Sequence, residues 1–249
     1  MELNYKAAPT LSLFHRSDMR VRGVMGPFGS GKSVGCCMEI YLRGIKQAPF
    51  EGVRKSRWAI IRNTYAQLRS TTIKTWQDWF PNSICPIVYD SPIRGHMVQR
   101  LGDGTTLDLE VLFLALDRPD HMDKLTSLEV TSAWVNEARK IPKSLIDAII
   151  GRLGRYPKRH IEGGPTWYGL IMDTNPPDTN HWWYRAAEVQ TPDGWKFFKQ
   201  PGGLIKREIN GTTHYFPNLA AENVENLPDG YNYYLKQVSG ADPNFIQVH

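Results

Sequence analysis

The chain has 249 residues, of which 41% are apolar and 22% are charged. This composition excludes a disordered or low-complexity protein, and the length is sufficient for one large domain with a full hydrophobic core. Thirty Lys and Arg residues against 25 Asp and Glu residues give a net charge of +5, which favours approach to an anionic polymer but does not by itself identify one.

The three cysteines, Cys36, Cys37 and Cys85, are too few for a disulfide framework and lack the paired spacing of a zinc site. We expect free thiols, buried as small hydrophobic groups, in a reducing compartment. No run of 18 uninterrupted apolar residues occurs in the sequence, and the first residues lack a signal-peptide pattern. We therefore expect a soluble protein that is not secreted and has no membrane partner.

Short apolar runs alternate with helical patterns over the first two thirds of the chain. The runs predict five strands, at residues 21–25, 58–61, 111–116, 130–135 and 168–172. Between the first two, apolar residues recur at helical spacing over residues 33–46, and a second helical pattern covers residues 64–80 and ends at Pro81. Strand, helix and strand in succession favour a parallel sheet.

A hairpin and a loosely patterned segment complete the predicted elements. Residues 97–101 and 106–111 flank Gly102-Asp103-Gly104, which predicts an antiparallel hairpin inserted at the edge of the sheet. After about residue 180 the pattern loosens, with a strand predicted at 195–198 and a helix at 230–237. We predict three parts: an N-terminal arm over 1–20, a core over 21–180 and a small C-terminal subdomain over 181–249.

The segment between the first strand and the first helix fits the pattern GxxxxGK[ST]. Glycines let the backbone N–H groups of such a loop point at phosphate oxygens, and the helix N-terminus adds partial positive charge. In this arrangement Lys32 reaches the β and γ phosphates and the hydroxyl of Ser33 binds Mg²⁺. The predicted nucleotide-binding residues are Gly26, Pro27, Phe28, Gly29, Ser30, Gly31, Lys32 and Ser33.

Two polar residues, Asn136 and Glu137, follow the predicted strand at 130–135. This position brings Glu137 beside the phosphates if the strand neighbours the first one, and a carboxylate there can orient the water that attacks the γ-phosphate. Asn136 stands where an aspartate is usual. Because an amide is a weaker partner for a metal-bound water, we expect Mg²⁺ to depend more on Ser33 and on the nucleotide.

Thr174 and Asn175 follow the last predicted strand in the same way. The carboxyl ends of parallel strands meet at one edge of an open sheet, where ligands bind. We therefore expect Thr174 and Asn175 to contact the γ-phosphate or its attacking water, although a plain turn is the alternative. Pro176 and Pro177 stiffen the chain after them.

Taken together, these residues resemble the ATPase domain of the large terminase subunit, the DNA-packaging motor of tailed double-stranded DNA bacteriophages. The matching segments are VRGVMGPFGSGKS, RNTYAQLRSTTIKTW, LTSLEVTSAWVNEA, GRLGRYP and IMDTNPPDTNHWWY. The resemblance implies an α/β fold of the additional-strand P-loop NTPase type, with a central, mainly parallel sheet flanked by helices. It also implies that Asn136 and Glu137 are the metal and water pair, and that Thr174 and Asn175 are the coupling motif.

The resemblance further implies ATP and Mg²⁺ as cofactors, and double-stranded DNA, the portal protein and the small terminase subunit as partners. Such motors act as a homo-oligomeric ring on the procapsid portal, in the host bacterial cytoplasm. A nuclease domain of RNase H type follows the ATPase domain in the family. This chain is too short to contain it, so we expect ATPase activity without nuclease activity, and residues up to 249 that begin the linker.

The resemblance also calls for an arginine that stabilises charge on the transferred phosphoryl group. Arg62 is the first candidate for this catalytic role, and the others are Arg152, Arg155, Arg118 and Lys124. Adenine recognition is expected from the segment before the loop, through Phe14, His15 and Arg20.

DNA contact is expected from the basic segment at residues 151–160, and from Lys206 and Arg207, through phosphate contacts that carry no sequence preference. Six aromatic residues are interpreted as packing rather than as base-stacking groups, namely Trp167, Trp182, Trp183, Tyr184, Trp195 and Phe197. Three alternatives remain open: a helicase-like ring motor, a nucleotide-gated binding protein with little hydrolysis, and a small-molecule kinase.

Overall fold

The computed structural model describes residues 3–116, 125 and 127–238 as an eight-stranded sheet with helices on both faces, followed by a two-stranded hairpin. The strands are β1 (Val21–Met25), β2 (Val53–Arg62), β3 (Ile87–Val88), β4 (Ile93–Arg100), β5 (Thr106–Ala115), β6 (Ser132–Asn136), β7 (Leu170–Thr174), β8 (Trp195–Lys199), β9 (Leu204–Ile209) and β10 (Thr212–Pro217). The helices are α1 (Pro9–Arg16), α2 (Lys32–Lys46), α3 (Tyr65–Gln67), α4 (Lys74–Trp79), α5 (Lys143–Ile150), α6 (Arg159–Glu162), α7 (Trp182–Tyr184) and α8 (Tyr233–Val238).

The central sheet is mainly parallel. Its strand order is β3-β4-β5-β2-β6-β7-β1-β8, and every pair from β5 to β8 is parallel, whereas β3 and β4 are antiparallel to their neighbours. All residues of β1, β6 and β7 are buried. Because both faces of these strands are covered, their sequences are continuous apolar runs rather than alternating ones. The predicted α/β class with a mainly parallel sheet is confirmed.

The five predicted strands and the two predicted helical segments are all present, with ends shifted by a few residues. The predicted hairpin joins β4 to β5, and its second arm at 106–111 and the strand predicted at 111–116 form one continuous strand, β5. One boundary was wrong, because β8 pairs in parallel with β1 and so belongs to the central sheet. The core therefore continues to Lys199 instead of ending at residue 180. The segment predicted to form a helix at 230–237 begins as a 3₁₀ turn and continues as α8.

The position of β7 corrects a second expectation. The argument from the residues placed Glu137 beside the phosphates if β6 neighboured β1, but β7 lies between the two strands and pairs with both. Asp173 of β7 is consequently in register with Val24 on one side and with Asn136 on the other. An inserted strand at this position is the feature that an additional-strand fold implies.

Two hydrophobic clusters cover the two faces of the sheet. Successive residues of β2 alternate between them, with Trp58 and Ile60 on the α2 side and Ala59 and Ile61 on the α5 side. Cys36, Cys37 and Cys85 are buried free thiols on the α2 side, as expected. In the described part of the chain, none of the helices has the length and apolar character needed to cross a bilayer.

The helical segment after β2 is not uniform. Between α3 and α4, residues Leu68–Ile73 form a π-helix. A π-helical turn holds one more residue than an α-helical turn and is frequent at functional sites. Thr72 lies in this turn and is buried, and it points toward the carboxyl end of β6.

Candidate nucleotide-binding site

The glycine-rich loop, residues 26–33, connects β1 to the first turn of α2 at the carboxyl edge of the sheet. Gly29 and Gly31 have φ angles of +73° and +81°, a left-handed conformation that residues with a Cβ rarely adopt. A Cβ at Gly26 would clash with the side chain of Gln200. The local sequence therefore permits both the tight loop and its close packing.

Lys32 begins α2 and is buried within the loop. Its Nζ donates to the Pro27 carbonyl at 2.6 Å and to the Ser30 hydroxyl at 3.2 Å. Burial lowers the pKa of Lys32 to about 8, against the opposing effect of the Asp173 and Glu137 charges. An anion beside this ammonium would favour its charged form, which is the property expected of a group that binds phosphate.

The outer side of the loop is held by residues that follow β8 in sequence. Gln200 donates to the Ser30 carbonyl at 2.9 Å and accepts from the Ser30 hydroxyl at 2.7 Å. Asn223 donates to the Gly29 carbonyl at 2.7 Å, and the Tyr234 hydroxyl donates to the Phe28 carbonyl at 2.8 Å. The sequence analysis missed these contacts, because nothing local in the sequence relates the C-terminal segment to the loop.

Ser33, Asp173 and Asn136 meet where the loop, β7 and β6 adjoin. The Ser33 hydroxyl donates to Oδ2 of Asp173 at 2.9 Å, and Nδ2 of Asn136 lies 3.0 Å from both Asp173 carboxylate oxygens. The indole nitrogen of Trp134 donates to Oδ1 of Asp173 at 2.8 Å. Asp173 was not predicted as a site residue. The available signal was a carboxylate within an otherwise apolar strand, since aspartate is rarely buried without a partner.

The orientation of the Asn136 amide is fixed by its neighbours. Its oxygen accepts hydrogen bonds from a guanidinium nitrogen of Arg62 and, at 2.8 Å, from the Thr72 hydroxyl. Its nitrogen faces Asp173 and lies 3.2 Å from the Ser33 hydroxyl. A flipped amide would oppose donor to donor and acceptor to acceptor. Asn136, predicted as a metal ligand, thus offers Ser33 a donor in this structure rather than a ligand oxygen.

Glu137 follows β6 with a φ of +55°, a left-handed conformation that is uncommon outside glycine and frequent at functional sites. Its carboxylate accepts from Nδ2 of Asn175 at 3.3 Å and lies 3.7 Å from Nε of Arg139. Burial, and next the Asp173 charge, raise the pKa of Glu137, while Lys32, Arg62 and Arg139 act against this rise. Arg139 was not predicted as a site residue.

Thr174 and Asn175 link the loop to Glu137. The Thr174 carbonyl accepts from the Gly26 amide at 3.3 Å, whereas its hydroxyl donates to the Asn175 carbonyl at 3.1 Å. Asn175, which is almost fully buried, holds Glu137 as described above. The predicted coupling motif therefore contacts the loop through its backbone and Glu137 through a side-chain amide.

The predicted arginine candidates have different surroundings. Arg62 lies at the site through its bond to Asn136, whereas Arg152 is half-buried and Arg155 is exposed and bonds to the Gly151 carbonyl. Arg118 and Lys124 lie outside the described residues.

Two of the three residues expected to contact adenine, Phe14 and His15, are buried, whereas Arg20 is exposed. Phe14 is fully buried, and its ring packs edge-on against Phe198. His15 is also buried and bonds to Glu39 at 2.6 Å, while the Arg20 guanidinium lies over the ring of Tyr168. Phe14 and His15 are core residues, because α1 packs against β1 and α2.

No protein-family model and no curated protein sequence matches this chain. Solved structures do match its fold. The large terminase of a thermophilic bacteriophage (the thermophilic-phage terminase) superposes with a TM-score of 0.67 at 9% identity, over 98% of this chain and 52% of that one. The corresponding values for the HK97 bacteriophage large terminase are 0.58 and 13%, over 97% and 48%. The large terminase ATPase domain of Thermus phage P74-26 gives 0.55 and 16%, over 99% and 93%.

The chain has the fold of a large-terminase ATPase domain. It spans about half the length of the thermophilic-phage and HK97 terminases, and almost all of the separate P74-26 ATPase domain. The thermophilic-phage terminase has also been crystallised with ADP, and that structure superposes with a TM-score of 0.65 at 10% identity, over 96% of this chain and 50% of that one. The family resemblance seen in the sequence is thus confirmed at the level of the fold.

Within this terminase-type fold, the predicted DNA-contact residues lie on the surface. Arg155, Lys158, Arg159 and His160 are exposed between α5 and the end of α6, and Lys206 and Arg207 are exposed on β9. The aromatic residues near β8 pack on the core: Trp183 is fully buried against Phe197, the Trp182 indole donates to the Ile141 carbonyl, and Trp167, Trp195 and Phe197 are partly buried against the two clusters. Their interpretation as packing residues is confirmed.

Proposed function

We propose that this chain is the ATPase motor domain of a viral DNA-packaging machine, which hydrolyses ATP to ADP and phosphate to move double-stranded DNA into a procapsid. The observation that carries the proposal is the convergence of the glycine-rich loop, Glu137 and Asn175 at one edge of a terminase-type sheet. The thermophilic-phage terminase, which shares the fold, was crystallised with ADP and with ATP-γ-S. Nucleotide binding by this chain is proposed on the same grounds.

In the proposed reaction, the amides of residues 26–33 bind the phosphates and Lys32 binds the β and γ phosphate oxygens. Glu137 orients the attacking water, and Asn175 holds the Glu137 carboxylate in place. Thr174 and Asn175 relate changes at the γ-phosphate to the loop through the Gly26 amide. Arg62 contributes positive charge from the end of β2.

The residues present fit Mg²⁺. Ser33 and Asp173 provide a hydroxyl and a carboxylate in direct contact, and hard oxygen groups of this kind are the ligands that Mg²⁺ prefers. When bound, Mg²⁺ neutralises charge on the β and γ phosphate oxygens.

The proposed partners are double-stranded DNA, the portal protein, the small terminase subunit and further copies of this chain in a ring. The exposed basic segment with Arg155, Lys158 and Arg159 supports the DNA contact, because phosphate contacts of Lys and Arg give binding without sequence preference. The proposed place of action is the procapsid portal in the host bacterial cytoplasm.

The test is steady-state ATP hydrolysis by the wild type and by Glu137→Gln, at high protein concentration, with and without linear double-stranded DNA. We expect turnover by the wild type, and ADP binding without turnover by the variant. Equal turnover by both proteins would remove Glu137 from the reaction. A wild type that binds ADP but does not hydrolyse ATP, even at high protein concentration with DNA, would favour a nucleotide-gated binding protein. Unwinding of duplex DNA would favour a helicase.

A further inference from the structure

The Ser33 hydroxyl of the glycine-rich loop contacts a carboxylate of β7, whereas the sequence pattern indicates an acidic residue at the end of β6. Asn136 ends β6, one strand farther from β1, whereas Asp173 lies on β7, directly beside β1 and in register with Val24. The Ser33 hydroxyl accordingly donates to Asp173 at 2.9 Å. The strand inserted between β6 and β1 thus brings a carboxylate nearer to the loop than β6 does.

The neighbours of Asn136 favour an amide over a carboxylate at that position. Its nitrogen donates to both oxygens of Asp173, and its oxygen accepts from Arg62 and Thr72. An aspartate at 136 would lose the donor and place a second carboxylate within hydrogen-bonding distance of Asp173, where like charges repel. In this pair, Asp173 carries the carboxylate and Asn136 carries the amide that orients it.

The Asp173 carboxylate is fully buried, and its hydrogen-bond partners are neutral groups of Trp134, Asn136 and Ser33. Among the residues that the structure describes, no ion pair is formed by Asp173. Buried carboxylates are ordinarily paired with a cation or coordinate a metal. The buried Lys32 ammonium is influenced by the Asp173 charge but forms no ion pair with it among the described residues. A divalent cation held beside Ser33 would provide opposite charge in direct contact with the Asp173 carboxylate.

We infer that Asp173 is the acidic residue that holds the divalent cation of the nucleotide site together with Ser33, and that Asn136 positions the Asp173 carboxylate. This inference rests on the proposed function, since the cation accompanies a bound nucleotide. It reassigns the acidic function from the end of β6 to the end of β7. Asn136 replaces the aspartate of the family pattern, and the carboxylate is provided instead by Asp173, 37 positions later in the chain.

The test measures metal affinity rather than turnover. Mn²⁺ is titrated into the protein with ADP and followed by electron paramagnetic resonance, for the wild type, Asp173→Asn and the exposed control Asp193→Asn. ADP binding in EDTA is measured for each protein beforehand. We expect Asp173→Asn to retain ADP binding in EDTA but to bind Mn²⁺ more weakly by at least the roughly 10–100-fold that the loss of an outer-shell partner costs, while Asp193→Asn behaves as the wild type.

The outcomes separate the inference from the proposed function. If the wild type binds ADP neither in EDTA nor with Mn²⁺, the proposed function fails and the inference falls with it. If ADP binds and Asp173→Asn retains wild-type Mn²⁺ affinity, the inference is overturned and the proposed function stands.

Because a buried substitution can prevent folding, the wild type is also made by cell-free synthesis with ¹³C in the aspartate carboxylates. A hyperfine coupling between Mn²⁺ and ¹³C supports the inference, and its absence overturns it.

Discussion

The Tyr234 hydroxyl in α8 donates a 2.8 Å hydrogen bond to the Phe28 carbonyl in the glycine-rich loop. Burial raises the pKa of Tyr234 to about 12, so the hydroxyl stays a donor at neutral pH. We expect Tyr234→Phe to lower the free energy of unfolding by about 1 kcal/mol, the usual net contribution of one hydrogen bond, as measured by urea denaturation.

Tyr231→Phe is the matched control, because the Tyr231 hydroxyl makes a longer bond of 3.3 Å to the Leu219 carbonyl and the residue is exposed. We expect little change in this variant. If Tyr234→Phe and Tyr231→Phe lower the free energy of unfolding equally, the hydrogen bond between α8 and the glycine-rich loop does not contribute more than an exposed one.

The buried ion cluster around Glu39 predicts a pH-dependent stability. Glu39 accepts from Arg22 at 2.6 Å and from Arg43 at 2.7 Å, and it contacts His15 at 2.6 Å. Burial acts to raise the pKa of Glu39, but the hydrogen bond from His15 and the Arg22 and Arg43 charges outweigh it, and the pKa is lowered. A lowered pKa contributes stability above the ordinary glutamate range, and this contribution is lost as the pH falls through the folded-state value.

We expect Glu39→Gln to lower the free energy of unfolding by about 3–5 kcal/mol at pH 7, because the buried Arg22 guanidinium loses its counter-charge and Arg43 keeps only the exposed Asp18. The difference from the wild type should narrow as the solution is made acidic. Glu110→Gln serves as control, since Glu110 pairs with Arg57 at a partly exposed position, where such pairs contribute roughly 0–1 kcal/mol. A pH-independent difference for Glu39→Gln would contradict the argument.

The contact between Asn175 and Glu137 predicts a kinetic effect. Removing the amide in Asn175→Ala leaves Glu137 without the 3.3 Å bond that orients it, and misplacement of a catalytic group by about 1 Å can lower the rate roughly 100-fold. We expect kcat for ATP hydrolysis to fall by about that factor, with ADP affinity unchanged. Asn218→Ala, which removes an amide bonded to the Gly202 carbonyl, should leave kcat unchanged. An unaltered kcat in Asn175→Ala would exclude a positioning role.

The exposed basic segment predicts the salt dependence of DNA binding. Each Lys or Arg that contacts a phosphate adds about one unit to the slope of log affinity against log salt. Replacing Arg155, Lys158 and Arg159 together by alanine should therefore reduce the slope by about three, equally for unrelated duplex sequences. Arg94→Ala, at an exposed position of β4, is the control. If the slope of log affinity against log salt changes in Arg94→Ala but not in the triple variant, the DNA contact lies elsewhere.

The fold was largely predictable because the buried parallel strands are continuous apolar runs and the glycine-rich loop is a local pattern. Strand order is not local, so the position of β7 between β6 and β1 was implied only by the resemblance to an additional-strand fold and not by the hydrophobic pattern. The loose pattern after about residue 180 led to the assignment of β8 to a separate C-terminal subdomain. Its parallel pairing with β1 instead places it at the edge of the central sheet.

The candidate site was predictable where its residues are adjacent in sequence and unpredictable where tertiary contacts create it. Ser33 and Asp173 are 140 positions apart, and Ser30 and Gln200 are 170 apart. No periodicity or spacing relates such pairs. Arg62 was chosen for its position at the end of a strand, and its contact with Asn136 depends on the pairing of β2 with β6.

The π-helical turn at Leu68–Ile73 has a consequence for the alignment of this chain with others. An α-helix covering the same stretch needs one residue fewer, and deleting one residue before Thr72 would turn its side chain by about 100° around the axis. The hydroxyl would then leave the Asn136 oxygen that it now contacts at 2.8 Å. Related chains with a regular helix here should therefore show a single-residue gap, together with a different acceptor or donor at the end of β6.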